Sequence, residues 1–130
     1  PPDFRTPFSP ESCKELVNKF PEINIIIESS PDRCFSDQDY IDAGFEVLND
    51  ISHADILLGI KEVPSEYLIP NKTYLFFSHT IKKQAHNRNM LRAILKNNIR
   101  LIDYECLTWE NGSRIIGFGR FAGIVGTYNG

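Results

Sequence analysis

Residues 23–28 read INIIIE, a β-branched run too apolar to alternate between a wet and a dry face. A strand of that kind has to be covered on both sides, which in a chain of this size means a parallel sheet flanked by helices. Strand-like runs recur at 56–60, 73–77 and 99–104, with shorter ones expected at 45–48 and 115–118. Helix signals lie between them. After Ser9 and Pro10, the residues Cys13, Leu16, Val17 and Phe20 share one helical face until Pro21 ends it. Ser36, followed by Asp37 and Asp39, has the chemistry of an N-cap with an acidic first turn, and Gly44 suits the exit from a short helix ending at Ala43. Met90, Leu91, Ile94 and Leu95 recur at helical spacing within 87–97. Strand, helix and strand over 23–48 make a βαβ unit. The expected fold is α/β, a three-layer sandwich with a mostly parallel sheet, Rossmann-like or flavodoxin-like, in one domain over residues 1–130.

Composition narrows the function classes. With 14 Lys and Arg against 17 Asp and Glu, the net charge is -3 and no basic stripe faces a phosphate backbone, so nucleic acid is not the expected partner. No apolar run approaches the ~20 residues that span a bilayer, so no membrane partner is expected. Cys13, Cys34 and Cys106 are odd in number and widely spaced, without the pairing of a zinc site. That usage fits a reducing, cytoplasmic setting. The absence of an initiator Met, and a glycine-rich end at Gly117, Gly119, Gly123, Gly126 and Gly130 that reads as a helix packed against something further, lead to the expectation of a piece of a longer protein.

Two of the strand-like runs end in residues that move protons, Lys61 after the first and His79 just beyond the second. Ligands of open parallel sheets bind outside the carboxyl ends of the strands, so the two can face one pocket as an acid/base pair. The bland readings are a solvated Lys61-Glu62 pair and a histidine that only caps a turn. Asp103 and Glu105, two apart, are expected on one side of an extended segment, either as an exposed strand end or as carboxylates that orient a cation. Arg5 in a Pro-braced loop, and Arg114 and Arg120 beside glycines, read as surface charges or as carboxylate binders. Lys82 and Lys83 read as solvated charges at a helix start, and His53 and His86 as exposed loop residues. No His, Asp or Glu spacing suggests a metal. No G-x-G-x-x-G follows a strand, since GFGRFAG puts Gly123 one residue too late, so tight dinucleotide binding by this segment is not expected.

RTPFSP, LLGIKEVP, FFSHTIKKQ, RLIDYE and RIIGFGRFAGIVG, in this order, resemble the amino-terminal domain of the alanine dehydrogenase and pyridine nucleotide transhydrogenase superfamily. The resemblance is strongest to the lysine branch, the lysine-forming saccharopine dehydrogenases and the lysine-ketoglutarate reductase part of aminoadipic semialdehyde synthase. It implies a substrate-side domain followed beyond residue 130 by a Rossmann domain that holds NAD or NADP. It further implies Lys61 and His79 as the acid/base pair, Arg5 and Arg114 as binders of substrate carboxylates, Glu105 as the acid that modulates the pair, and Lys82 as a further motif position. The implied substrates are an amino acid and a 2-oxo acid, joined through an imine that is then reduced, or the reverse. Homo-oligomerisation is open, and a eukaryotic bifunctional relative would place the protein in mitochondria. An alanine dehydrogenase-type enzyme and a doubly wound binding module without chemistry are the alternatives.

Overall fold

The structure, a computed structural model, describes residues 3–119 and 127. The chain divides into two compact units, with the break between Ile60 and Lys61.

The first unit opens with helix α1 (Pro10–Lys19), capped by the Ser9 side chain, which accepts from the Ser12 amide, and carrying Pro10 where a missing amide costs nothing. Strand β1 (Ile26–Glu28), helix α2 (Asp37–Asp42) and strand β2 (Glu46–Leu48) then form the βαβ unit, with β1 and β2 parallel and Ile27 opposite Val47. Ser36 and Asp39 build a full capping box on α2, each side chain bonding the other's backbone amide. The carboxyls of Asp37 and Asp39 are held below the ordinary carboxylate range, Asp37 mainly by the Ser29 hydroxyl and Asp39 mainly by the Ser36 hydroxyl. Gly44 leaves α2 at φ +94°, where a Cβ would be strained. β1 is shorter and wetter than expected: Ile26 and Ile27 are half-buried and Glu28 is exposed. The physical reason is the turn at Pro21, where the Ile23 amide bonds the Phe20 carbonyl and keeps the first isoleucines out of the ladder. Strand β3 (Ile56–Leu58) ends the unit, with Leu57 buried between exposed neighbours.

In the second unit, strand β4 (Thr73–Phe76) pairs in parallel with β5 (Arg100–Asp103), so that Phe76 lies opposite Asp103. Helix α3 (Arg88–Lys96) is the crossover between them. Both strands start at left-handed asparagines, Asn71 and Asn98, whose side chains bond each other at 3.1 Å. The core gathers Leu68, Tyr74, Phe76, Phe77, Met90, Ile94 and Tyr104. Phe76 is fully buried, and a ring of that size contributes about 1.5–3 kcal/mol by leaving water. Both strand pairings agree with the α/β parallel expectation.

Two expectations fail after β5. Residues 104–106 form a 3-10 turn (Tyr104–Cys106) rather than further strand, because the Asp103 carboxylate accepts the Glu105 amide and bends the chain. Residues 115–118 are not a strand either. A tight reversal through Asn111 and Gly112, the latter at φ +80°, brings Arg114 back antiparallel to Thr108, and the backbone then bends at Ile115 and Ile116. Among the described residues nothing lies within 4 Å of a Cβ built at Gly117 or Gly119. Arg120, Gly123, Gly126 and Gly130 lie outside the described residues.

Candidate active site

The carboxyl ends of β4 and β5 carry the chemistry of the second unit. Beyond Phe76 the chain peels away from β5, and His79, three residues on, adopts the left-handed conformation at φ 54° and ψ 13°. For a residue with a Cβ this costs about 1–2 kcal/mol, so the surroundings must impose it. Phe77 stacks on the imidazole at 6.5 Å, and its other contacts, Tyr104 edge-on and Phe118 tilted, form the apolar wall behind it. Burial in that wall pushes the Tyr104 phenol above its usual range.

The 3-10 turn after β5 directs Glu105 inward, leaving its side chain 2% exposed. A carboxylate so withdrawn needs partners. It has three: Nδ1 of His79 at 3.1 Å on Oε2, and on Oε1 the Lys82 Nζ at 3.2 Å and an Arg114 guanidinium nitrogen at 3.4 Å. They reach it from two segments, the β4 exit with the 3-10 turn it caps, which carries His79 and Lys82, and the reversal at 108–114, which carries Arg114. The three nitrogen-bearing side chains are partly exposed and the carboxylate is not, so the cluster presents nitrogen to solvent. Lys82 Nζ also lies 3.4 Å from His79 Nδ1, but both atoms are donors once Nδ1–H bonds Glu105. We therefore assign the ammonium to Glu105, and the imidazole to the tautomer that keeps its free lone pair on Nε2.

Sequence reasoning treated Lys82 as a solvated charge and Asp103 with Glu105 as neighbours on an extended strand; the turn corrects both. It buries the two carboxylates, and Lys82 pairs with one of them. Lys61 is exposed and stands three residues past the end of β3, as His79 stands past β4. Arg5 belongs to the first unit and forms a two-point pair with Asp3 at 2.8 and 2.6 Å, a hydrogen bond that raises the guanidinium pKa above its ordinary value. Its loop is anchored by Tyr40, whose hydroxyl donates to the Phe8 carbonyl at 2.7 Å and lies 3.1 Å from the Thr6 hydroxyl. Sequence reasoning missed Ser78 and Thr80. Two hydroxyls flanking a strand-end histidine were the available signal.

Comparison with known proteins gives the chain a lineage. Residues 1–125 match the family described as "Alanine dehydrogenase/PNT, N-terminal domain". The chain belongs to that family. It is 43% identical over 125 residues to the mitochondrial alpha-aminoadipic semialdehyde synthase of Bos taurus, covering 96% of this chain and 13% of the relative. The Arabidopsis thaliana alpha-aminoadipic semialdehyde synthase is 36% identical, with 94% of this chain and 12% of the relative covered. The Candida glabrata saccharopine dehydrogenase (NAD(+), L-lysine-forming) is 32% identical, with 97% and 35% covered. The alanine dehydrogenase/PNT domain described here thus spans from about an eighth to about a third of these relatives.

A nicotinamide dinucleotide asks for close backbone approach to its pyrophosphate, usually at glycines where a side chain would collide. Among the described glycines, Gly44, Gly112, Gly117 and Gly119, a Cβ would meet nothing within 4 Å. Gly44 leads into strand β2 and Gly112 into an antiparallel bridge, so neither opens a helix as the glycines of a dinucleotide cradle do. No described helix is long and apolar enough to cross a membrane.

Proposed function

We propose that this chain is the substrate-side domain of an NAD(P)-dependent oxidoreductase of the saccharopine dehydrogenase or lysine-ketoglutarate reductase type. A nucleotide-binding domain would follow it in the full-length protein and hold the nicotinamide. The observation that carries the reading is the convergence of His79, Lys82 and Arg114 on one buried carboxylate, Glu105. The L-lysine-forming saccharopine dehydrogenase relative supplies lysine by its name, the 2-oxo acid comes with the resemblance described above, and the mitochondrial location in the name of the Bos taurus relative favours the same for this protein.

The chain's own residues account for binding and proton handling. Lys82, Arg114 and His79, when protonated, carry more positive charge than Glu105 cancels, and that surplus suits the carboxylates of an amino acid and a 2-oxo acid. Arg5 is proposed as a further carboxylate binder, exchanging Asp3 for substrate. With Nδ1–H engaged by Glu105, His79 takes or returns a proton at Nε2. Forming an imine from an amine and a ketone requires one proton to leave nitrogen and another to reach the departing oxygen. Lys61 and His79 are proposed to divide those two transfers.

The test is a His79→Gln exchange in the full-length protein, assayed with lysine, 2-oxoglutarate and reduced nicotinamide nucleotide. Glutamine keeps a hydrogen-bonding group but exchanges no proton. The expected loss is about 10²–10⁴-fold in kcat with KM little changed. A raised KM at normal kcat would reduce His79 to a binding group, and no turnover of these substrates by the unaltered protein would end the assignment.

A further inference from the structure

One carboxylate beside the cluster has no place in the proposal above. Asp103, the last residue of β5, is buried, and among the described residues its three hydrogen bonds come from neutral donors. The Glu105 amide donates to Oδ1 at 2.9 Å, the Ser78 amide reaches the same oxygen at 3.4 Å, and the Ser78 hydroxyl donates to Oδ2. Its partners are thus the residue before His79 and Glu105 itself.

The hydroxyl network has only one self-consistent set of directions. A carboxylate only accepts, so Ser78 spends its single proton on Asp103. The Ser78 oxygen then has two lone pairs, and they meet the Thr80 amide at 3.2 Å and the Thr80 hydroxyl at 2.8 Å. Thr80 must therefore donate to Ser78, and Ser78 to Asp103. His79 is the residue spanned by that bridge, bonded down on either side of its left-handed backbone.

We propose that Asp103, Ser78 and Thr80 are positioning residues, which impose the backbone of His79 and set its distance from Glu105. The inference rests on the proton-handling reading of His79, and it adds the device that selects the reactive tautomer. A side chain rotating freely at a relaxed position 79 would present either nitrogen to Glu105. Held as it is, the ring presents Nδ1 and leaves Nε2 for substrate.

Three exchanges in the full-length protein test this: Asp103→Asn, Thr80→Val and Thr80→Ser. Thr80 is half-buried, so both of its variants should fold even if Asp103→Asn does not. Nitrogen NMR of histidine-labelled protein is expected to show His79 in the Nδ1–H form in the unaltered protein and in Thr80→Ser. Thr80→Val and Asp103→Asn should give a mixture of tautomers and a kcat lowered about tenfold to a hundredfold, with KM nearly constant. A single tautomer and unaltered kcat in Thr80→Val would overturn the inference. The functional reading fails differently, by a His79→Gln protein that keeps its kcat, and that result would remove the catalytic part of the inference while the NMR result still decides whether the network holds the ring.

Discussion

Arg33 in the first unit and Glu105 in the second are both charged side chains drawn in from solvent, and they satisfy their charge in opposite ways. Arg33 turns its guanidinium on its own neighbourhood. Its Nε bonds the Phe35 carbonyl at 2.9 Å, one terminal nitrogen bonds the Glu28 carbonyl at 2.6 Å, the other pairs with Asp37, and the plane lies over Tyr40. All of these partners lie within 28–40, and all hold one loop. Glu105 takes its partners from two segments, the turn that carries His79 and Lys82, with His79 26 residues before it, and the reversal that carries Arg114. The first arrangement buries charge to fix a fold, whereas the second leaves partly exposed cations around a hidden anion. Local closure marks a structural ion pair; convergence from separated segments marks a candidate site.

The contrast can be broken by exchange at either centre. The largest effect is expected at Glu105→Gln, which leaves Lys82, Arg114 and His79 facing one another without an anion and frees the imidazole to choose its tautomer. Loss of about 10²-fold or more in kcat is expected, read by steady-state kinetics of the full-length protein. Were kcat unchanged, convergence would carry no functional meaning here. Arg33→Ala should do the reverse. It strips two carbonyls and a carboxylate of their donor, and thermal or urea unfolding should show a loss of about 2–4 kcal/mol with kcat per folded molecule unaltered.

The smallest effect sharpens the same point through pH. Asp37 and Asp39 titrate below their ordinary value in the folded state, because the Ser29 and Ser36 hydroxyls and nearby amides bond the charged form. A depressed folded pKa gives stability that is present above the unfolded value, near ~3.9, and is lost as pH falls through the folded one. Unfolding midpoints should therefore drop below about pH 4, and Asp37→Asn should flatten that drop while lowering stability at neutral pH. An unchanged acid slope in the variant would show that these bonds form equally in the unfolded chain.

Much of the first unit was legible because its signals are local. Ser9 with Pro10, Ser36 with Asp39 and Gly44 each act within four residues, and the helices began and ended where that chemistry placed them. β1 was read too long because four isoleucines outvoted one proline turn. In the second unit the strand-end histidine was legible, while Glu105 was left between an exposed strand end and an acid that tunes it, for a physical reason. Whether Glu105 points inward depends on the bend after Asp103, and Asp-x-Glu is equally compatible with extended chain. Lys82 and Arg114 could be assigned only once that bend was known.

The Tyr40 anchor changes what Arg5 can do. With its hydroxyl on the Phe8 carbonyl and beside Thr6, and with the Cys34 amide on the Phe4 carbonyl at 2.7 Å, the loop around Arg5 is moored at points on both sides of that residue. In the carboxylate-binding role proposed for Arg5, association would be a swap of one carboxylate for another on a scaffold that is already ordered. Such an exchange releases little heat and freezes few new rotors. It is expected to be fast, shallow and salt-sensitive, discriminating ligands by the shape of their anionic end rather than by grip.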